Sequence, residues 1–210
     1  SVDLTIAADY TVSNFTEADG TVRTATLTAD AVHLAGQSVS GTGVVVGAAF
    51  DATAAGDYSG LTATTTQLQL AADATLSSSV TVGTATIVLD SDAAGASSSD
   101  NSLILTMSQV TGLNVADGGG NGTSNVTVTG TVTADVVDYS SIDWDVDTLT
   151  LNMLSGDNNI TGAQSVGSNI ITTSTGNDTI ITGTNADVIT GGLGNDLFEI
   201  NHGDATNAVT

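Results

Sequence analysis

Between residues 153 and 199 the chain repeats a three-point pattern in frames of nine. Frame 191–199 reads Gly191-Gly192-Leu193-Gly194-Asn195-Asp196-Leu197-Phe198-Glu199. Frame 182–190 carries Asn185, Asp187 and Ile189 at its fourth, sixth and eighth places, and frame 173–181 carries Gly176, Asp178 and Ile180. Frame 164–172 carries Gly167, Asn169 and Ile171. A two-residue insertion, Gly162-Ala163, separates that frame from frame 153–161, which carries Gly156, Asn158 and Ile160. The fourth place calls for a positive φ in a tight turn, which Gly takes freely and Asn tolerates. The sixth supplies a carboxylate or amide oxygen where turn meets strand, and the eighth points an apolar side chain inward. Two frames make one turn of a flattened roll. Residues 18 apart then stack on one edge, Asp178 over Asp196 and Asn169 over Asp187.

The rest of the chain has the texture of short strands. Period-2 alternation recurs at Ser1 to Ala7, Thr21 to Thr28, Ser79 to Leu89, Ser124 to Val132 and Asp147 to Leu151. Turn-rich clusters separate these runs, as at Asp90 to Asn101 and Asp117 to Asn125. Helix formers are scarce and β-branched residues abundant, which predicts an all-β protein. An internal repeat favours stacked units: Asp57-Tyr58-Ser59-Gly60-Leu61 recurs as Asp138-Tyr139-Ser140-Ser141-Ile142, and the match runs on to Leu68-Gln69-Leu70 and Leu149-Thr150-Leu151. The expected fold is a parallel β-helix or β-roll solenoid, with a sandwich built on a duplicated hairpin as the alternative. The expected division is a β-rich region at 1–152, solenoid or sandwich, and a truncated roll segment at 153–210. The chain begins Ser1-Val2-Asp3-Leu4 and reads as an excised segment.

Charge narrows the functions. Among 210 residues there are 23 acids and one cation, Arg23, for a net charge of −22. One cation cannot neutralise a phosphate backbone, so nucleic-acid binding is excluded, and so is adsorption to an anionic membrane face. No run reaches the roughly 18 apolar residues of a membrane span, so no insertion is expected. Without Cys or Lys there is no thiolate metal site, thiol nucleophile, Schiff base or P-loop. Aromatic residues are 3% of the chain, so Ala, Val, Ile and Leu must build a thin, layered interior.

The frames at 153–199 resemble the RTX family, the hemolysin-type calcium-binding nonapeptide repeats of pattern G-G-x-G-x-D-x-U-x. Frame 191–199 fits at every defined place. Frame 173–181 has Thr173-Ser174 in place of the two leading glycines, frame 182–190 has Asn185 for Gly, and the two earlier frames carry Asn for Asp. The resemblance implies calcium as the bound ion, held between stacked turns by Asp178 and Asp196, with the carbonyls of Ser174, Gly176, Gly192 and Gly194 as co-ligands. It implies a weaker opposite edge at Asn169 and Asp187, where one anion is missing. Asp204 falls one place out of register. Calcium wants roughly six to eight oxygens, which carbonyls and carboxylates supply.

The Thr-, Ala-, Ser- and Val-rich first 150 residues look like bacterial surface-layer proteins that end in such repeats. That likeness implies a secreted, extracellular structural protein, exported by type I secretion, that self-assembles into a lattice or homo-oligomer. Cell-surface glycan or lipopolysaccharide is a further expected partner. A chain at −22 repels itself until calcium outside the cell neutralises it. The alternatives are a calcium-stabilised segment of a large RTX adhesin, and the RTX part of a secreted hydrolase.

No enzyme is expected. No G-x-S-x-G elbow occurs, and neither His33 nor His202 has a second ligand at metal spacing. His33 reads as a strand residue in an apolar run, and Arg23 as the partner of Glu17 or Asp19. Asp143, Asp145 and Asp147 read as a solvated strand face opposite Trp144 and Val146, with a calcium site as the alternative. Asp90-Ser91-Asp92 with Gly95 starts like an EF-hand loop but lacks the later ligands, and Asp117 with Gly118 to Gly120 reads as a turn. The Thr clusters at Thr62 to Thr66 and around Val128 read as strand surface rather than as an ice-binding array.

Overall fold

The structure is a computed structural model that describes residues 9–18, 20–89, 101–119, 122–130, 136–142, 144–164, 166–201 and 208–209. The run Ser1 to Ala7, Asp19, the Asp90-Ser91-Asp92 segment with Gly95, Gly120, Val132, Asp143, His202 and Asp204 lie outside the described residues. The chain forms two compact units, residues 1–97 with 112–121, and residues 98–111 with 122–210.

In the first unit five parallel strands lie side by side in the order Thr26–Asp30, Val44–Phe50, Thr65–Leu70, Thr86–Leu89 and Asn114–Asp117. Their register aligns Gly47, Leu68, Ile87 and Val115 in one row, and the last three are buried apolar side chains. Gly47 is glycine because a Cβ there would meet the Leu68 and Leu34 side chains. Val44–Phe50 has no polar residue yet alternates in burial from Val44 to Ala48, and a bulge at Ala49, φ 52°, shifts its register. The alternating run 79–89 is two strands, Val80–Thr81 and Thr86–Leu89, because Gly83 turns a corner at φ 68°.

In the second unit six parallel strands follow one another: Asn101–Thr106, Ser124–Thr129, Thr148–Asn152, Ser168–Thr172, Val188–Thr190 and Ala208–Val209. A second parallel sheet stacks Val136–Asp138, Asn159–Thr161, Thr179–Ile181 and Leu197–Glu199. The inward row of the first sheet is Leu105, Val128, Leu151, Ile171 and Ile189, all buried. The second sheet contributes Ile160 and Ile180 to the interior. Each such side chain contributes roughly 1.5–3 kcal/mol on burial, so stacked aliphatic rows replace an aromatic core. Leu105 pairs with Val128, and Val128 with Leu151, each 23 residues on; Leu151 pairs with Ile171, 20 on, and Ile171 with Ile189, 18 on. The ladder passes residues 152 and 153 unbroken, since Thr148–Asn152 pairs directly with Ser168–Thr172.

The described chain is therefore all-β, a parallel β-solenoid. The exceptions are an antiparallel pair, Phe15–Thr16 with Val22–Arg23, and two single-turn helices, Ala31–Leu34 and Met107–Val110. His33 sits on the first helix and not on a strand: Ala31 and Leu34 turn inward three residues apart, leaving the imidazole outside, its Nδ1 4.0 Å from Asp30 Oδ2. The second helix is closed by a capping box in which Thr106 N–H donates to Gln109 Oε1 at 2.8 Å.

The repeated motif folds the same way in each unit. Asp57 Oδ1 accepts from Ser59 N–H at 3.0 Å and Asp138 Oδ1 from Ser140 N–H at 2.9 Å. Tyr58 and Tyr139 are both buried, and each backbone carbonyl accepts from the residue three on, Leu61 and Ile142.

Candidate metal centre

The turns at 153–158, 173–178 and 191–196 stack on one edge of the roll. Their fourth-place glycines take positive φ: 114° at Gly156, 147° at Gly176 and 141° at Gly194. Gly192 adds φ 85°. These turns lie backbone on backbone. A Cβ at Gly176 would overlap the Gly156 carbonyl, one at Gly192 the Ser174 carbonyl, and one at Gly194 the Gly176 carbonyl. Leu193 N–H donates to Ser174 O at 2.8 Å, and Gly176 N–H donates to Leu193 O at 2.9 Å.

The sixth-place side chains join the turns. Asp178 is 1% exposed. Its Oδ1 accepts from Asn158 N–H and from Asn158 Nδ2, both at 2.8 Å. Asp178 N–H in turn donates to Asp196 Oδ1 at 3.0 Å. Asp178 Oδ2 is buried and receives no hydrogen bond. A buried carboxylate oxygen without a donor costs free energy that a cation removes. The side chains on this edge, Asp178 and Asp196, offer oxygen only, which suits a hard divalent cation such as calcium. Among the described residues no three His, Asp or Glu side chains converge on one point, so carbonyls must complete any such site.

The opposite edge is built differently. Asn169 and Asp187 meet in a direct hydrogen bond, Asn169 Nδ2 to Asp187 Oδ1 at 3.0 Å, and Asn169 N–H donates to the same oxygen at 2.7 Å. Asp187 Oδ2 accepts from Gly183 N–H at 2.8 Å. Both side chains are fully buried. The positive φ expected at every fourth place does not extend here, since neither Gly167 nor Asn185 has it. Gly167 is small for another reason: a Cβ would press on the Asp147 carbonyl at 2.5 Å.

The remaining candidates resolve into structural roles. Trp144 and Val146 are buried while Asp145 and Asp147 face out, and Asp147 Oδ2 accepts from Ser124 N–H at 2.8 Å. Asp117 Oδ1 closes a turn on Gly119 N–H at 3.2 Å. Arg23 Nε lies 3.1 Å from Glu17 Oε1. Thr127 and Thr129 lie in the ladder beside Ile104 and Thr106. Sequence reasoning read the Asn residues in sixth places as departures from a pattern and missed Asn201, whose Nδ2 donates to Thr182 O at 2.6 Å and Gly183 O at 3.2 Å. Its signal was position: Asn201 stands 18 residues beyond Gly183.

No described helix is long and apolar enough to cross a membrane. No curated protein and no solved structure matches the chain. Residues 165–198 match the family of RTX calcium-binding nonapeptide repeats, in 4 copies. Repeats of this family bind calcium and indicate a secreted protein. The turns within residues 165–198 are thus RTX calcium-binding repeats.

Proposed function

We propose that this chain is a structural component of an extracellular bacterial surface layer, folded and assembled with calcium. One observation carries the calcium part: Asp178 Oδ2, buried and without a donor, at the turn of a parallel ladder whose next turn brings Asp196. In this reading Asp178 and Asp196 hold calcium with the carbonyls of Ser174, Gly176, Gly192 and Gly194. Bound calcium supplies the positive charge that this edge lacks. The glycines let the turns approach closely, and the ladder bonds hold them in register.

The surface role follows from chemistry at larger scale. A net charge of −22 with one cation keeps copies apart unless divalent ions bridge them. The partners are further copies of the chain, and anionic glycan or lipopolysaccharide at the cell surface, bridged through calcium. No catalytic role is assigned.

The test is circular dichroism with thermal melting, from chelator to about 10 mM calcium, above the extracellular affinity range, followed by electron microscopy. A calcium-driven rise in β signal and melting temperature, with two-dimensional sheets, is expected. Calcium-stabilised monomers with a discrete ligand pocket would shift the role to an adhesin segment. A fold indifferent to calcium would overturn the metal reading.

A further inference from the structure

We propose that the Asn158 amide fills, with a side chain, the position that calcium takes one turn later, and that the opposite edge is closed by amide hydrogen bonds from Asn169 and Asn201, so that this roll loads calcium on one edge only. The proposal rests on the calcium reading of Asp178 and Asp196.

Asn158 Nδ2 points at three acceptors: Leu154 O at 3.1 Å, Gly156 O at 2.8 Å and Asp178 Oδ1 at 2.8 Å. Two of these are carbonyls at the second and fourth places of its own frame, and the third is a carboxylate of the next turn. The frame 173–181 repeats the arrangement with Ser174, Gly176 and Asp196. There the sixth place is Asp178, which brings an acceptor where Asn158 brings a donor. Its Oδ2 is the buried oxygen left without a partner. The same backbone cage is thus closed by an amide in one turn and left for a cation in the next. Asn158 is 2% exposed, so its amide is sealed in that cage.

On the other edge amides complete the ladder. Asn169 Nδ2 donates to Ala163 O at 3.0 Å as well as to Asp187, while its Oδ1 accepts from Ala163 N–H at 3.0 Å. A Cβ at Gly183 would meet Asn169 Nδ2 at 2.6 Å, so the amide is packed against backbone. Both Asp187 oxygens are engaged, and Asn201 takes the carbonyls of Thr182 and Gly183 one turn on. The fourth-place residues here, Gly167 and Asn185, also lack the positive φ shared by Gly156, Gly176 and Gly194. Asp187 is then a hydrogen-bond acceptor rather than a ligand. The amide edge keeps successive turns in register without metal, and calcium clamps only the edge that holds Asp178 and Asp196.

The experiment measures calcium stoichiometry by native mass spectrometry and titration calorimetry with calcium chloride on the full chain, with melting in chelator and in calcium. Asn158→Asp should bind one ion more than wild type, melt lower in chelator and recover in calcium. Asp178→Asn should bind one ion fewer and melt in chelator no lower than wild type, because its amide can now close its own cage. Asp187→Asn should leave the stoichiometry unchanged. An unchanged ion count in Asn158→Asp, a chelator melting temperature lowered by Asp178→Asn, or an ion lost from Asp187→Asn would each overturn the proposal. A wild-type chain that binds no calcium would instead overturn the reading of Asp178 and Asp196, and a gain of one ion by Asn158→Asp would still support the amide as a substitute for metal.

Discussion

Gly192→Ala, set beside Gly112→Ala, separates the strain of a backbone angle from the contact between stacked turns. The two glycines have similar angles, φ 85° and 76°. Alanine in that left-handed region costs about 1–2 kcal/mol at either position. At Gly112 nothing lies within 4 Å of the added Cβ, so that strain is the whole effect. At Gly192 the Cβ overlaps the Ser174 carbonyl oxygen and comes within 2.8 Å of its carbonyl carbon. The turn must move off its neighbour, which strains the Leu193 N–H to Ser174 O and Gly176 N–H to Leu193 O bonds. Two such bonds at about 0.5–1.5 kcal/mol each add roughly 1–3 kcal/mol. The expected losses are about 1–2 kcal/mol for Gly112→Ala and about 2–5 kcal/mol for Gly192→Ala. Hydrogen exchange at amides flanking each position reads the local opening free energy, which matters because the glycines lie in different units. Equal losses at the two sites would refute the backbone-on-backbone account of the turns. Gly192→Ala should also raise the calcium concentration needed for half protection of Gly176 and Leu193.

Replacing both Asp178 and Asp196 with Ala should raise the calcium midpoint for folding, followed by circular dichroism; an unchanged midpoint would remove both from the site. Leu151→Ala deletes a fully buried member of the inward row and should cost about 2–5 kcal/mol in urea unfolding, while a loss under about 1 kcal/mol would mean that the row is not packed. Asp57 and Asp138 have carboxyl pKa values below the usual range, held there first by the Ser59 and Ser140 hydroxyls and then by their backbone N–H groups. A depressed pKa contributes stability that is complete above the ordinary carboxylate range and is lost as pH falls through the folded value. Asp57→Asn with Asp138→Asn should therefore flatten the acid limb of melting temperature against pH, and superimposable limbs would show that these turns carry no linkage.

The reach of the sequence followed the regularity of the turn. The frames at 153–199 predicted which residues would share an edge, and Asp178 does meet Asp196, as Asn169 meets Asp187. The repeated Asp-Tyr-Ser turn marked equivalent corners because an Asx carboxylate closing on the N–H two residues on is a local event. Strand limits were less legible. Alternation ran through the Gly83 corner, because Val82 and Ala85 are buried there as strand residues would be. Val44–Phe50 has no polar residue, so its sequence hides the alternating burial of the strand. The helix carrying His33 is a single turn, too short for a 3.6-residue period to register. Hydrogen-bond direction was illegible as well. Asn and Asp look interchangeable as oxygen donors to a metal, but Asn158 faces its neighbours with nitrogen, and only the positions of Leu154 O and Gly156 O reveal it.

The ladder of the second unit keeps its rows aligned although successive steps take 23, 23, 20 and 18 residues. Faces are conserved in space while corners absorb the difference in length. Such a solenoid counts rungs and not residues. An insertion or deletion of a few residues at a corner, like Gly162-Ala163, leaves every inward side chain on its row, whereas a single residue inserted within Thr148–Asn152 would turn that rung inside out. Length variation in chains of this design should therefore gather at corners, and whole rungs should be gained or lost as units.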